Sequence, residues 1–332
     1  MFPQSPLRFH PLFRPYLWGG ERLGRLMGKS LPGPGPWAES WEVVDHGADQ
    51  SVVADGPWEG WTLRNLIDAF PDEVLGNQQS KPFPLLLKYL ECHQVLSVQV
   101  HPDDPYASRM DPPDLGKTEA WYVVHAEPGA KIYAGLQQGI DRAQLAHAIA
   151  TGRTEQALQV LHPNSGDCVF IPAGTVHALG SGLLVVEIQQ SSDSTFRLYD
   201  WNRVDAHGNS RPLHVEQALE VINFEAPTVQ FARPEPLSQP SGQRLVCCQH
   251  FEWLRWHGHC SISLEAEGRF RLLTLPEGQA HLHWMAGSLS LDVGQSVLLP
   301  ACHLPTQIEL APDSTLLLAQ TPNDPSGYDA FA

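Results

Sequence analysis

Residues 96–104 read LSVQVHPDD, and polar side chains occupy every second position of this otherwise apolar stretch. Ser97, Gln99 and His101 alternate with two valines. A period of two is typical of a β-strand, whose successive side chains point to opposite faces of the sheet. The stretch therefore predicts a strand that packs valines on one face and gathers a hydroxyl, an amide and an imidazole on the other.

The composition of the 332 residues is that of an ordinary globular protein, with 42% hydrophobic and 17% charged residues. This length suits one large domain or two smaller ones. Acidic residues outnumber basic ones by 37 to 21, and a net charge of −16 repels nucleic acids and anionic membrane surfaces. We therefore expect neither as a partner, and an anionic ligand would need locally concentrated cations.

Several features indicate a cytoplasmic location. The N-terminal residues include prolines and arginines where a signal peptide needs an unbroken apolar stretch. No run approaches the ~18 to 20 apolar residues of a membrane-spanning helix. The cysteines show no CxxC spacing, which is typical of free thiols in a reducing compartment.

Turn residues are scattered along the chain, with 27 glycines and 29 prolines, and this favours a mainly β fold of many short strands. Helical spacing is confined to three places, and we expect helical insertions at about 60–78, 140–161 and 211–222. Thr62 is the expected N-cap of the first insertion. The second should contain two short helices broken at 151–152.

A short sequence pattern occurs twice. GDCVFIPAGTVHAL (166–179) and GQSVLLPACHLPTQ (294–307) share a glycine, a short apolar run and a Pro-Ala pair. A turn glycine followed by a buried strand that ends at proline is typical of jelly-roll hairpins, so the repeat predicts two barrels of the same kind. Pro305 occupies the position that His177 has in the first copy. If His177 binds a metal ion in the first barrel, we expect the second barrel to lack that ligand.

The proline-rich segment 225–243 divides the chain into the expected domains and would act as a semi-rigid connector. Residues 1–224 would form a catalytic barrel that carries the helical insertions. Residues 244–332 would form a metal-free barrel with a structural role.

Four side chains on predicted strands or turns could converge inside the first barrel. Gln99 and His101 share a strand face, with Cβ atoms about 7 Å apart, Glu119 begins the strand-like GKTEAWYVV, and His177 follows a third strand. Two imidazoles, a carboxylate and an amide form a site suited to zinc, with cobalt, manganese or iron as alternatives. The alternative interpretation is that each histidine is only a hydrogen-bonded interior residue.

Three cations lie amid apolar residues in a chain with only 21 Lys and Arg, namely Lys88, Lys117 and Arg197. Because a buried cation is costly without a partner anion, they indicate a pocket for an anionic substrate, with Ser97 adding a hydroxyl. The alternative is that each cation pairs with an internal carboxylate, the candidates being Glu91, Glu187 and Asp193.

Five segments match a known family: PYLWGG (15–20), AESWEV (38–43), PFPLLLKYLECHQVLSVQVHPDD (82–104), GKTEAWYVV (116–124) and IPAGTVHALGSGLLVVEIQQSSDSTFRLYDW (171–201). They resemble the type I mannose-6-phosphate isomerases, most closely the short bacterial form. The resemblance covers roughly residues 10–222, and QVHPDD, GKTE and PAGTVHAL in this order are specific in combination. The proline-rich RMDPPD (109–114) departs from the family pattern, and we expect it to affect access to the pocket without changing the metal ligands.

The resemblance implies a zinc-dependent aldose–ketose isomerisation of a sugar phosphate on a cupin scaffold, with one zinc ion per chain. The metal ligands that it implies are Gln99, His101, Glu119 and His177. Arg197 matches a catalytic arginine. The positions that match the lining of the substrate and phosphate pocket are Ser97, Lys88 and Lys117, and those that match acidic residues near the arginine are Glu187 and Asp193. We expect a monomer or a weak homo-oligomer.

Such an isomerisation moves a proton between adjacent carbons through a cis-enediol, so it needs a base and a group that stabilises an oxyanion. Glu187 is the first choice for the base, because a carboxylate in an apolar strand should have a raised pKa. Asp193 and Lys117 are the alternatives. Arg197, permanently charged and fork-shaped, would stabilise the enediolate or hold the phosphate.

Two other classes of function stay open on sequence grounds. A metal cupin could act as an iron oxygenase or on an unphosphorylated sugar, and the retained cations argue against this. A sugar-phosphate sensor or storage cupin would keep the fold without catalysis, and the intact set of metal ligands argues against that.

Overall fold

β-Strands dominate the computed structural model, which describes residues 4–76, 81–204 and 207–322. The helices are α1 (Arg22–Arg25), α2 (Leu63–Ala69), α3 (Pro71–Leu75), α4 (Asp104–Ala107), α5 (Arg142–Ala150) and α6 (Val215–Val221). The strands before residue 200 are β1 (Phe9–His10), β2 (Leu12–Arg14), β3 (Glu39–Val43), β4 (Asp45–His46), β5 (Asp49–Gln50), β6 (Val52–Val53), β7 (Leu85–Cys92), β8 (Val98–Val100), β9 (Glu119–Ala126), β10 (Ile132–Leu136), β11 (Leu158–Leu161), β12 (Cys168–Ile171), β13 (His177–Leu179), β14 (Leu183–Gln190) and β15 (Phe196–Tyr199). The later strands are β16 (Glu235–Pro236), β17 (Gly242–Cys247), β18 (Glu252–His257), β19 (Cys260–Leu264), β20 (Arg271–Glu277), β21 (Gln279–Trp284), β22 (Gly287–Asp292), β23 (Ser296–Leu299), β24 (Thr306–Leu310) and β25 (Thr315–Gln320). The predicted mainly β fold is confirmed.

Two facing sheets form the first β unit. A six-stranded antiparallel sheet has the order β12-β9-β14-β7-β3-β2, and a five-stranded sheet has the order β11-β10-β13-β8-β15. Their facing sides enclose an apolar core that includes Trp121, Val123, Ile132 and Val185, all almost inaccessible to solvent.

Strand β8 has the two faces that its sequence period predicts. Val98 and Val100 pack with Leu145 of α5 and Ala218 of α6 on the outer side of the five-stranded sheet. Gln99 therefore points to the opposite side, into the space between the two sheets.

The second β unit repeats the topology of the first. Its sheets have the orders β16-β17-β18-β25-β20-β23 and β19-β24-β21-β22. The order β12-β9-β14-β7 matches β23-β20-β25-β18, and β11-β10-β13-β8 matches β22-β21-β24-β19. The predicted repeat of two β units of one kind is therefore confirmed by the strand order.

The repeat aligns Glu119 with a cation in the second unit. Ile171 and Leu299 immediately precede the two Pro-Ala pairs, and their partners on the neighbouring strands are Glu119 and Arg271. Arg271 is buried, and its guanidinium donates a 2.7 Å hydrogen bond to Nε2 of His303. The second unit thus has a permanent cation where the first has a carboxylate, which supports the prediction that it holds no metal.

The two units share a hydrophobic core. The outer faces of their six-stranded sheets pack together, with Leu87 on one side and Leu272 and Leu317 on the other. Across the same contact, the Tyr89 hydroxyl lies 2.7 Å from Oγ1 of Thr274. The outer faces of both six-stranded sheets are therefore largely apolar, as surfaces that cover each other must be.

The segment 225–243 is in contact with both units. Phe231 forms a β-bridge with Val169 of the first unit. Strand β16 and the start of β17, which fall inside this segment, already belong to the second unit. The predicted division of the chain at 224 and 244 stays a prediction.

Helix α2 begins where the sequence predicts, because Oγ1 of Thr62 accepts a hydrogen bond from N of Asn65 at 3.1 Å. The predicted second helix after the break at 151–152 is shorter than expected and does not reach residue 161. Gly152, with φ of +67°, follows the end of α5, and Thr154–Ala157 form only a short 3-10 turn. The apolar residues after it belong to β11, which pairs with β10.

The remaining helices differ from the predictions in extent. Helix α6 occupies the C-terminal part of 211–222, and α2 and α3 occupy most of 60–78, of which 77 and 78 lie outside the described residues. Helices α1 and α4 have four residues each, which is too short to show a period in the sequence. Within the described ranges, no helix is long and apolar enough to cross a membrane.

Candidate metal centre and active-site cavity

Both sheets of the first unit contribute to a cluster of four predicted metal ligands. His177 of β13 pairs with Gln99 of β8, His101 follows β8, and Glu119 begins β9 in the facing sheet. Nε2 of His177 lies 3.2 Å from Oε1 of Glu119, and Nε2 of His101 lies 3.6 Å from Oε2. Nε2 of Gln99 lies 3.3 Å from Nε2 of His177. The four side chains therefore surround one point.

Backbone carbonyls orient both imidazoles of this cluster. Nδ1 of His101 donates to the carbonyl oxygen of Ser194 at 2.8 Å, and Nδ1 of His177 donates to that of Thr175 at 2.9 Å. With the proton on Nδ1, each Nε2 presents a lone pair to the centre. This arrangement, in which the second nitrogen is fixed by an outer partner, is typical of metal-binding histidines.

Burial and charge keep the two imidazoles neutral. Burial lowers the pKa of His177 to about 4, and the nearby Lys117 ammonium acts in the same direction. Burial, then Lys117 and His177, hold the pKa of His101 well below its usual range. Both Nε2 atoms therefore carry a lone pair that can bind a cation at neutral pH, and that of His101 lies 3.1 Å from Nζ of Lys117.

The Glu119 carboxylate shows that the cluster suits a metal ion. It is buried, and within the described part of the chain neither of its oxygens accepts a hydrogen bond. Lys117 Nζ lies 2.9 Å from Oε2 and is its nearest cation. Burial and then the charge of Glu187 raise the pKa of Glu119 to about 7, so its charged form lacks full compensation even with Lys117 beside it.

A metal ion would supply that compensation. One donor atom from each of His101, Glu119 and His177 lies within 4.8 Å of the others, and all three residues are buried. Rotation of the Gln99 amide by a half-turn would direct its oxygen to the same point. A buried carboxylate, two imidazole lone pairs and an amide oxygen are together a donor set that fits zinc or a similar divalent metal.

A cavity of about 330 Å³ opens beside this centre, and every residue predicted to bind or transform the substrate lines it. These residues are Lys88, Ser97, Lys117, Glu187, Asp193 and Arg197. Gln99 lies at the inner end, so the cavity adjoins the metal ligands. A larger groove of about 500 Å³ lies elsewhere, along residues 226–233 and β17, and contains none of the predicted site residues.

Lys88 and Glu187 form a buried ion pair in the cavity wall. They are partners on neighbouring strands, with Nζ 2.9 Å from Oε1. Trp121 donates to the other carboxylate oxygen at 2.8 Å. Burial alone would raise the pKa of Glu187, but the charges of Lys88 and Lys117 outweigh burial and lower it. The predicted raised pKa of Glu187 is therefore wrong, because the sequence does not show which cation lies opposite.

Arg197 differs from the two lysines, since no carboxylate of the described residues forms an ion pair with it. Its Nε donates to Oγ of Ser97 at 3.2 Å, and its Nη1 donates to the carbonyl oxygen of Pro212 at 3.0 Å. Burial and the charge of Arg211 lower its pKa. The interpretation as an internal ion pair thus holds for Lys88 and Lys117, whereas Arg197 is left available for an anion.

Comparison with known proteins identifies the family. A model of the phosphomannose isomerase type I catalytic domain matches residues 7–124. A mannose-6-phosphate isomerase of Bacillus subtilis is 35% identical over 297 residues, which cover 89% of this chain and 93% of that protein. The chain belongs to the type I phosphomannose isomerase family.

Other members of the phosphomannose isomerase family agree. A mannose-6-phosphate isomerase of Streptococcus mutans is 35% identical over 298 residues, covering 89% of this chain and 92% of that protein. The crystal structure of the mannose 6-phosphate isomerase from Bacillus subtilis superposes with a TM-score of 0.87 and 31% identity, covering 95% of this chain and 99% of that one. The predictions of this family, and of an isomerase in place of a sensor or storage protein, are confirmed.

In this member of the phosphomannose isomerase family, the cavity also has lining residues to which the sequence assigned no role. Among them are Tyr16, Trp18, Glu39, Thr195 and Arg211. The first two lie in PYLWGG and Glu39 lies in AESWEV, so the segments that carry the resemblance contained a signal for them. No comparable signal marks Arg211, because its place in the cavity depends on how the chain returns after β15.

Proposed function

We propose that the chain is a zinc-dependent isomerase that interconverts mannose 6-phosphate and fructose 6-phosphate through a cis-enediol. The observation that carries this proposal is the buried Glu119 carboxylate, only partly compensated by Lys117, between two imidazole Nε2 atoms and beside a cavity that also presents Arg197. Known relatives bear the same activity in their names.

Gln99, His101, Glu119 and His177 would hold the ion, one per chain. When bound, zinc supplies Lewis-acid stabilisation of the negative charge that develops on the sugar oxygens. The neutral state of both imidazoles supports this role, since a protonated imidazole cannot bind a metal.

The phosphate group would lie at the arginine end of the cavity. Arg197 and Ser97 together offer a guanidinium and a hydroxyl, and Arg211 lies on the same wall. Asp200 accepts two hydrogen bonds from Arg211, at 2.7 and 2.6 Å, and so fixes its orientation. A fork-shaped guanidinium without a carboxylate partner is suited to a phosphate dianion.

Glu187 would move the proton between C2 and C1 of the sugar. Its lowered pKa means that the carboxylate is ionised at neutral pH and can accept the C2 proton without prior deprotonation. Lys88 and Trp121 each contact one of its oxygens, which fixes the direction in which it faces. The proton accepted from C2 is then returned to C1, and Lys117 or Asp193 remain the alternatives for this step.

Metal analysis combined with a coupled assay tests the proposal. The purified protein should contain about one zinc per chain, lose its activity on chelation and regain it with added zinc. His101→Ala should abolish both metal and activity, whereas His162→Ala, an exposed histidine away from the cavity, should change neither. Full turnover in the metal-free protein, or equal turnover of unphosphorylated mannose, would contradict the proposal.

A further inference from the structure

The proline-rich segment RMDPPD (109–114) contributes no residue to the cavity lining, but its last residue is bonded to a segment that does. It ends in Asp114, whose side chain is 18% exposed and accepts four polar contacts. Ser194 and Ser192 donate their hydroxyls to Oδ2 at 2.6 and 2.9 Å. N of Leu115 donates to Oδ1 at 2.8 Å, and Nε2 of His46 lies 3.1 Å from the same oxygen. Both oxygens of this carboxylate are thus fully used.

The two serines that Asp114 binds flank a functional residue. Asp193 lies between them and lines the active-site cavity. The carbonyl oxygen of Ser194 is also the acceptor for Nδ1 of His101. One carboxylate oxygen therefore holds the backbone that directs Asp193 into the cavity and fixes the ring of a metal ligand.

We propose that Asp114 is a positioning residue, which acts through Ser192 and Ser194 to set the orientation of His101 towards the metal and of Asp193 towards the substrate. The inference rests on the proposed function in one respect, namely that Nε2 of His101 binds the metal. Neither Asp114 nor any of the four residues that contact it lines the cavity.

The geometry requires a carboxylate at this position. Four donors converge on two oxygens, and each oxygen accepts from two of them. An asparagine offers one oxygen and one amino group, and an amino group cannot accept a hydrogen bond. Asp114→Asn would therefore lose the bond from N of Leu115, or its amino group would face Ser192 and Ser194, whose hydroxyls would have to turn and accept in place of the charge-assisted bonds that they now donate.

The segment 191–194 has a second support, which keeps the test interpretable. Oγ of Ser191 donates to the carbonyl oxygen of Asp45 at 3.1 Å, and N of Ser191 donates to that of Pro84 at 2.9 Å. These bonds do not involve Asp114. We therefore expect Asp114→Asn to fold, with the segment displaced at its end nearest His101.

The direct test is the zinc affinity of the Asp114→Asn enzyme, measured by competition with a chromophoric chelator. We expect affinity to fall about 10- to 100-fold, the usual effect of removing an outer partner of a ligating histidine. The visible spectrum of the cobalt-substituted enzyme, which reports ligand geometry, should shift as well. Asp111→Asn is the matched control, since it removes the same charge from an exposed position of the same segment and should leave both readouts unchanged.

A double variant tests the route of the effect. Ser194→Ala removes the hydroxyl and keeps the carbonyl, so adding it to Asp114→Asn should weaken zinc binding little further. Native zinc affinity in Asp114→Asn would overturn the inference, and so would a variant that only loses thermal stability while affinity and cobalt spectrum stay native. Absence of zinc from the native enzyme would instead overturn the proposed function. That measurement is made on the native protein and not on the variant, so the two outcomes are distinguishable.

Discussion

Replacing Lys88 by methionine should identify the catalytic base. Lys88 and Glu187 face each other across β7 and β14 with atoms 2.9 Å apart, and their side chains are only 6% and 4% exposed. Methionine fills similar space but carries no charge. Glu187 would then keep its burial and lose its principal counter-charge, so its pKa should change from below to above the ordinary value.

The sign of the effect on stability follows from the same pKa shift. In the native protein the lowered pKa makes ionised Glu187 stabilising above its ordinary pKa, and this contribution is lost as the pH falls. In Lys88→Met the raised pKa makes Glu187 destabilising as the pH rises. Breaking a buried ion pair costs about 3–5 kcal/mol, so urea unfolding should show a loss of this order under alkaline conditions and a smaller loss in mild acid.

The assay is the pH dependence of kcat/KM, which reports the pKa of the base in the free enzyme. If Glu187 is the base, the acid limb of the profile should move up by about 1–3 units in Lys88→Met, as expected for loss of a close opposite charge. Lys81→Met is the control. Lys81 is exposed, and its Nζ lies 2.8 Å from Oδ1 of Asp68, a distance similar to that between Lys88 and Glu187, so this variant should leave the pH profile unchanged. If the acid limb of the kcat/KM profile lies at the same pH in a folded Lys88→Met enzyme as in the native enzyme, the assignment of Glu187 is refuted and Asp193 is favoured.

Three further predictions concern the phosphate site, the shared core and the second unit. Arg197→Lys should raise KM for the sugar phosphate about tenfold, the equivalent of one charge-assisted hydrogen bond, and an unchanged KM in initial-rate measurements would contradict this. Tyr89→Phe loses its hydrogen bond to Thr274 and should lower the free energy of unfolding by about 1 kcal/mol within a single urea transition, whereas two transitions would argue against a shared core. Pro305→His should add no second zinc equivalent in metal analysis, because Arg271 supplies positive charge there, and a second equivalent would refute the alignment of the two units.

Features that depend on local sequence period were predictable. The alternation around Gln99 and His101 places both side chains on one face of the strand, independently of which strands become its neighbours. The repeat of Gly and Pro-Ala, likewise, marks the same edge strand in both units. Glu119 and His177 were predicted as partners from the strand and the turn that carry them, the resemblance implied the same four residues, and the structure brings all four together.

Features that depend on which strands become neighbours were not predictable. Glu187 lies in an apolar run, so its sequence indicates a raised pKa, yet the register of β14 against β7 places Lys88 opposite it. Asp114 similarly has no local pattern, and its partners come from distant parts of the chain. The sequence between 154 and 161 has apolar residues spaced for a helix, but its second half, Leu158–Leu161, pairs with the edge of β10 as a strand.

The back-to-back packing of the two six-stranded sheets limits how this enzyme can be divided. A fragment ending at residue 224 would keep every side chain assigned to the metal and the substrate. It would also uncover a broad apolar sheet face that includes Leu85, Leu87, Tyr89 and Ile188. Such a face promotes aggregation in a free fragment. The second unit, which contributes no residue to the cavity, therefore covers an apolar face of the first, and a minimal catalyst would need that face redesigned as a polar surface.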